Sequence, residues 1–170
     1  MSPAILELHL DYSAWASREL VNAAAQLSGE ELVRDFSTAD RSVLGTLAHV
    51  FAADRVWLVR VTGAAMPAQF ITERDHSLAV LQTEWPALHQ RWKEWARGLT
   101  EESAVQVLSY KDMSGNPWRQ PLWKIVLHVV NHGTHHRGQV AGFLRAMGHT
   151  PPKLDLIYYY RETEKGAAGA

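Results

Sequence analysis

A chain of 170 residues with 46% hydrophobic and 21% charged side chains is sized for one domain with its own core, and that balance fits neither a disordered nor a membrane-spanning chain. A formal net charge of -1, with Lys and Arg scattered along the chain, argues against a dedicated nucleic-acid binder, which needs clustered cations. The absence of cysteine removes disulfides, thiolate metal ligands and a protein-borne thiol nucleophile together, so any metal must be held by His or carboxylate.

The first segment carries Ile5, Leu8, Tyr12, Trp15, Ala16, Leu20, Ala23 and Leu27 at helical spacing, with Ser2-Pro3 to start a helix and Ser28-Gly29 to stop it. Glu7, Asp11 and Arg18 interrupt its apolar run, which therefore does not read as a secretory signal; the expectation is a cytoplasmic protein. A second helix is predicted from about Ser42 to Val61, with Val43, Leu47, Val50, Phe51, Asp54 and Leu58 on one stripe and Gly63 closing it. The connection from Gly63 to His76 is longer than a tight antiparallel turn requires, long enough for a crossover between parallel neighbours.

A third helix is expected over Ser77 to Arg97, where Leu78, Leu81, Trp85, Leu88, Trp92 and Trp95 form a stripe, with Pro86 predicting a kink or a later start. Val105 to Tyr110 is β-prone and Ser114-Gly115-Asn116-Pro117 is a turn signal, so a short hairpin is expected before the fourth helix. That helix, Pro121 to Met147, lines up Leu122, Ile125, Val129, His132, His136, Val140, Phe143 and Met147, and Gly148 ends it. Pro151-Pro152 is read as forcing an extended tail over Leu154 to Tyr160, and 166–170 as disordered. The prediction is one all-α domain, residues 1–165: a four-helix bundle, an architecture that builds metal sites from facing helices.

The segment Asn131 to Gln139 holds the chemistry. His132 and His136 are four residues apart on the inward face, the spacing one divalent ion can bridge. His136 lies about 40° from His132 around the helix, whereas His135 lies about 60° to the other side. His128, one turn earlier, drifts to about 80° from His136 and reads as a supporting or core residue. A third ligand must come from another helix, and His49 is the histidine well inside helix two. It falls on that helix's second face, with Gly45, Ala52, Ala53 and Val56, where small side chains leave room for a metal and a substrate. Two histidines at this spacing are nonetheless more often packing or surface residues than ligands. His9, His76, His89 and His149 read as surface or packing residues, and the tryptophans, Trp85, Trp92, Trp95, Trp118 and Trp123 among them, as core and interface. Arg137 is expected to pair with an acidic group or a partner subunit, and Gly138 and Gly142 to permit close helix approach at a dimer seam.

Leu47-Ala48-His49-Val50-Phe51 together with Asn131-His132 and His136-Arg137-Gly138-Gln139 resembles the DinB-like family of damage-inducible and YfiT-type metalloproteins, over essentially the whole chain. The resemblance implies a four-helix bundle with a long second connection, often a homodimer, and one divalent metal ion, nickel or zinc, held by His49, His132 and His136. Members of that family include thiol-dependent transferases and isomerases that use bacillithiol, mycothiol or related thiols, alongside proteins with no assigned reaction, and S-transfer from a small-molecule thiol to a small-molecule substrate is the first expectation. Three neutral imidazoles leave an open position on the ion, the pattern of catalytic zinc sites. Two other readings stay open: a metal-dependent hydrolase in which water replaces the thiol, and a non-catalytic metal-binding or ligand-sensing bundle.

Overall fold

The computed structural model describes residues 2–168. Helix α1 spans Pro3–Ala24, with extended Ser2 as N-cap and proline at the first helical position, where its missing N–H costs nothing. Ser28 does not merely stop a helix. It accepts from the Glu31 N–H while the Glu31 carboxylate takes the Ser28 N–H, a capping box that opens the short α2, Gly29–Val33.

Helix α3, Val43–Thr62, begins on Ser42, whose hydroxyl accepts from Gly45 N–H at 3.0 Å, and ends on Gly63 in the left-handed region at φ 70. Helix α4, Leu78–Arg97, starts where expected and continues through Pro86, so the proline removes one backbone bond without delaying the helix. A short α5, Glu101–Val105, precedes an antiparallel hairpin of β1, Val107–Lys111, and β2, Pro117–Pro121, which pairs Val107 with Pro121 and Lys111 with Pro117. Helix α6, Leu122–Ala146, follows directly, and α7 spans Leu156–Ala168.

Helix α1 packs on α4 and α6, and α3 packs on the same two from the opposite side, so the bundle reads α1, α4, α3, α6 around its axis. The interior is filled by Leu6, Leu20, Leu47, Leu58, Leu81, Trp85, Trp92, Ile125 and Leu144, all nearly or fully inaccessible. Flanked by α4 and α6, α3 buries residues nearly all round, which explains why its apolar positions were not confined to one stripe. Among the described residues, no helix is long and apolar enough to cross a membrane.

The tail departs from the sequence expectation. Two prolines bias only themselves and the residue before each towards extended backbone, so they do not reach past Pro152, and the chain turns helical from Leu156. The Tyr12 hydroxyl donates to the Leu154 carbonyl at 2.8 Å, and the Tyr159 ring lies against Tyr12 and Trp15 at 6.0 and 5.6 Å. Of the expected terminal tail, 166–168 fall within the bounds of α7 and 169–170 lie outside the described residues.

Arg137 is the second departure. It is 2% exposed and meets no carboxylate within ion-pair distance among the described residues. Its guanidinium instead donates to the hydroxyls of Ser13 at 3.0 Å, Ser17 at 3.2 Å and Thr134 at 3.1 Å, and lies 5.6 Å from the Tyr12 ring centre. A Cβ on Gly133 would stand 2.6 Å from its Nη1, so the glycine makes room for the cation. Helix α1 thus supplies three of the groups that hold α6 in place.

Candidate metal centre

Three imidazoles converge between α3 and α6. His49 Nε2 lies 3.1 Å from His132 Nε2, and the His136 ring centre is 4.6 Å from that of His49 and 4.5 Å from that of His132. One ring nitrogen from each falls within 4.8 Å of the others, a group able to hold a metal ion. His132 and His136 share a face because they are one turn apart on α6; His49 joins them because the second face of α3 turns towards α6.

The outer nitrogens of His49 and His136 are engaged. Asp40 places Oδ1 3.4 Å from His49 Nδ1 and Oδ2 3.6 Å from His136 Nδ1, and the Gln139 side-chain oxygen lies 2.8 Å from His136 Nδ1. Acceptors at Nδ1 favour the tautomer that carries its proton there and leaves Nε2 with a lone pair facing inward.

Asp40 is held by an unusual loop. Ser37 and Arg41 flank it with φ of 56 and 64, left-handed conformations that cost non-glycine residues on the order of 1–3 kcal/mol each. The Asp35 carboxylate offsets part of that cost by accepting from Ser37 N–H and the Arg41 guanidinium. Gly45 completes the arrangement: a Cβ there would overlap the Asp40 carbonyl oxygen, so the loop can lie directly on the first turn of α3.

Burial, with the like charges of His136 and His49 behind it, pushes His132 down to about 4. Burial also lowers His49, against the pull of the Asp40 carboxylate. Imidazoles that resist protonation keep their lone pairs for a cation at neutral pH.

Around the triad, Phe70 stands edge-on to His49 at 5.5 Å. Its carbonyl accepts from Arg55, which also forms a two-point pair with Asp75 at 2.8 and 2.9 Å, so the long connection after α3 is tied down beside the site. His135 packs edge-on to His136 at 5.0 Å but lies outside the triad. His128 is not a core residue: it is exposed, with its ring 5.8 Å from His132 and 5.1 Å from Trp57. His89 is half-hidden, stacked on Trp85 at 5.5 Å, and its Nε2 lies 3.5 Å from the buried Asp54 carboxylate, which accepts from Trp85 Nε1 at 2.8 Å.

Sequence reasoning missed Asp40, Gln139 and Phe70 as parts of the site. Gln139 carried a usable signal, since it sits three residues after His136 on the same helix. Asp40 and Phe70 lie in irregular segments where no periodicity operates.

The model of the DinB family matches residues 1–167. The chain belongs to the DinB family. It is similar to Protein DinB of Bacillus subtilis (strain 168), with 24% identity over 164 residues covering 91% of this chain and 94% of that protein. The fold resembles the crystal structure of a DinB-like protein from Bacillus cereus ATCC 10987, with a TM-score of 0.59 at 18% identity, covering 85% of this chain and 94% of that one. In this DinB-family chain, the histidines of the two sequence signatures meet at one point, and the bundle is all-α apart from the hairpin that leads into α6.

Proposed function

We propose that His49, His132 and His136 bind one divalent metal ion, nickel or zinc, and that the protein transfers a small-molecule thiol to an electrophilic substrate. The observation that carries this reading is the convergence of three imidazole nitrogens from two helices, with the outer nitrogens of two of them turned to Asp40 and Gln139. Imidazole ligands suit nickel and zinc, and three of them leave a coordination position open. A bound ion supplies Lewis acidity at that position, lowering the pKa of a thiol or a water molecule there.

The chain's own residues define the rest. With no cysteine, the protein has no thiol of its own, so the thiol must be a co-substrate. In the transfer a sulfur–carbon bond forms: with a halide the carbon–halogen bond breaks, its electron pair leaves with the halide and the thiol proton passes to solvent; with an epoxide the carbon–oxygen bond breaks and the ring-opened oxygen takes the pair and the proton; with an activated alkene the π pair moves to the neighbouring carbon, which takes the proton. Asp40 and Gln139 hold two imidazoles in fixed tautomers, and Phe70 packs edge-on against His49 at the border of the centre.

The test has two stages. Elemental analysis of protein purified without added metal should return about one divalent ion per chain, and His49→Ala should lose it. The metal-loaded protein should then turn over at least one pair from a panel of low-molecular-weight thiols and epoxide, halide or activated-alkene electrophiles. A loaded protein inert to the whole panel would count against transfer and leave metal binding standing.

A further inference from the structure

The row of α6 that carries His132 and His136 continues beyond them. One turn before His132 is His128 and one turn before that is Lys124, each step turning about 40° away from the metal-facing side, so the row leads out of the site towards the hairpin. There the structure has a cavity of about 220 Å³ lined by Trp57, Tyr110, Gln120, Lys124, Ile125 and His128. His128 belongs to both places: its ring lies 5.8 Å from His132 and edge-on to Trp57 at 5.1 Å.

The walls are built rather than incidental. Trp57 and Tyr110 meet edge-on at 5.1 Å, and the Arg60 guanidinium braces both, 4.5 Å from the Trp57 ring centre and 5.2 Å from that of Tyr110. Arg60 also donates to the Lys111 carbonyl at 2.9 Å, fixing the hairpin and thereby Tyr110 against α3. Lys124 is exposed and has no carboxylate within ion-pair distance among the described residues. The cavity therefore offers two aromatic faces, one side-chain amide and one cation without an acidic partner.

Resting on the metal reading above, we propose that this cavity is the substrate subsite of the centre and takes a small organic carboxylate. The metal-binding head of the ligand sits at the triad, its apolar or aromatic body lies between His128, Trp57 and Tyr110, and its carboxylate reaches Lys124 and the Gln120 amide. The eight residues from Lys124 to His132 set the span at about 12 Å along the helix axis, shortened by the reach of the lysine side chain. Aromatic stacking and the charge-assisted hydrogen bond each add to affinity independently of the metal.

Two thiols that differ only at the far end test this. Cobalt(II) is loaded as a spectroscopic probe, and 4-(mercaptomethyl)benzoate is titrated against 4-methylbenzyl thiol, in which methyl replaces the carboxylate. The carboxylate should bind about tenfold more tightly. Lys124→Gln, on an exposed side chain, should remove that preference while leaving cobalt affinity unchanged, and Trp57→Ala should weaken both aromatic thiols relative to 2-mercaptoethanol. Equal affinity of the two thiols in the unaltered protein, or a preference that survives Lys124→Gln, would overturn the subsite while the metal reading stands. Failure of cobalt to bind at all would overturn both.

Discussion

Asp40 reaches His49 from behind: its Oδ1 lies 3.4 Å from His49 Nδ1, on the side of the ring opposite the triad, while its second oxygen lies 3.6 Å from His136 Nδ1. One carboxylate thus addresses two imidazoles carried by different helices. Removing it should free both rings to rotate and change tautomer. Asp40→Ala is expected to weaken metal binding by about 10- to 100-fold with the helical content retained, read by competition against a chromophoric chelator. Unchanged affinity would show that Gln139 and the helix backbones suffice to orient the ligands.

The metal should also act as a clamp between α3 and α6. At a free metal concentration 100 times the dissociation constant, binding to the folded state alone adds about 2.7 kcal/mol. The melting temperature of the unaltered protein is therefore expected to rise with nickel or zinc and to fall back on chelation, while His132→Ala should show neither change. Differential scanning calorimetry at fixed protein concentration reads this directly.

The Arg55–Asp75 pair anchors the connection beside the centre, and Asp75 is 1% exposed. Burial would raise its pKa, yet the hydrogen bonds from Arg55 and the Thr72 N–H outweigh that and bring it from 3.8 to about 2. A folded-state pKa below the unfolded one gives stability that is present above the unfolded value and lost as pH falls through the folded value. The window is therefore from about 4 down to about 2, and the contribution is roughly 2 kcal/mol. Asp75→Asn should be destabilised relative to the parent at pH 5, and the gap should shrink by about that amount at pH 2. Urea unfolding of both proteins at the two pH values checks the prediction.

Gly133 sits inside α6, where alanine would ordinarily stabilise the helix by about 1 kcal/mol. Here the added methyl would press on the Arg137 guanidinium, which three hydroxyl groups hold in place. Gly133→Ala is expected to destabilise by about 1–3 kcal/mol instead. Gly142, where an added methyl would meet nothing within 4 Å, is the control and should gain stability on the same change. Thermal or urea unfolding of the two variants beside the parent gives the comparison, and equal signs would mean that Arg137 yields easily.

Much of the fold was legible because helices announce themselves locally. The stripes in α1, α3, α4 and α6, the caps at Ser42 and Gly63, and the turn around Gly115 each depend on residues a few positions apart. The same locality made His132 and His136 readable as a pair. Helix α7 escaped because proline chemistry was extended beyond the residues it controls, and α2 because Ser28 serves as a cap after α1 has ended.

By itself the sequence determined that this chain is mainly helical and without cysteine, and that two imidazoles of α6 stand at metal spacing. It also carried the family signature that singled out His49. Which helices stand side by side is a different kind of information. His49 and His132 are 83 residues apart, and their contact depends on α3 lying between α4 and α6. Asp40 reaches the site only because a left-handed loop settles on Gly45, and Arg137 loses its expected acidic partner because α1 offers hydroxyls where it packs. Periodicity reports which face of an element is buried, whereas tertiary packing alone decides what that face meets.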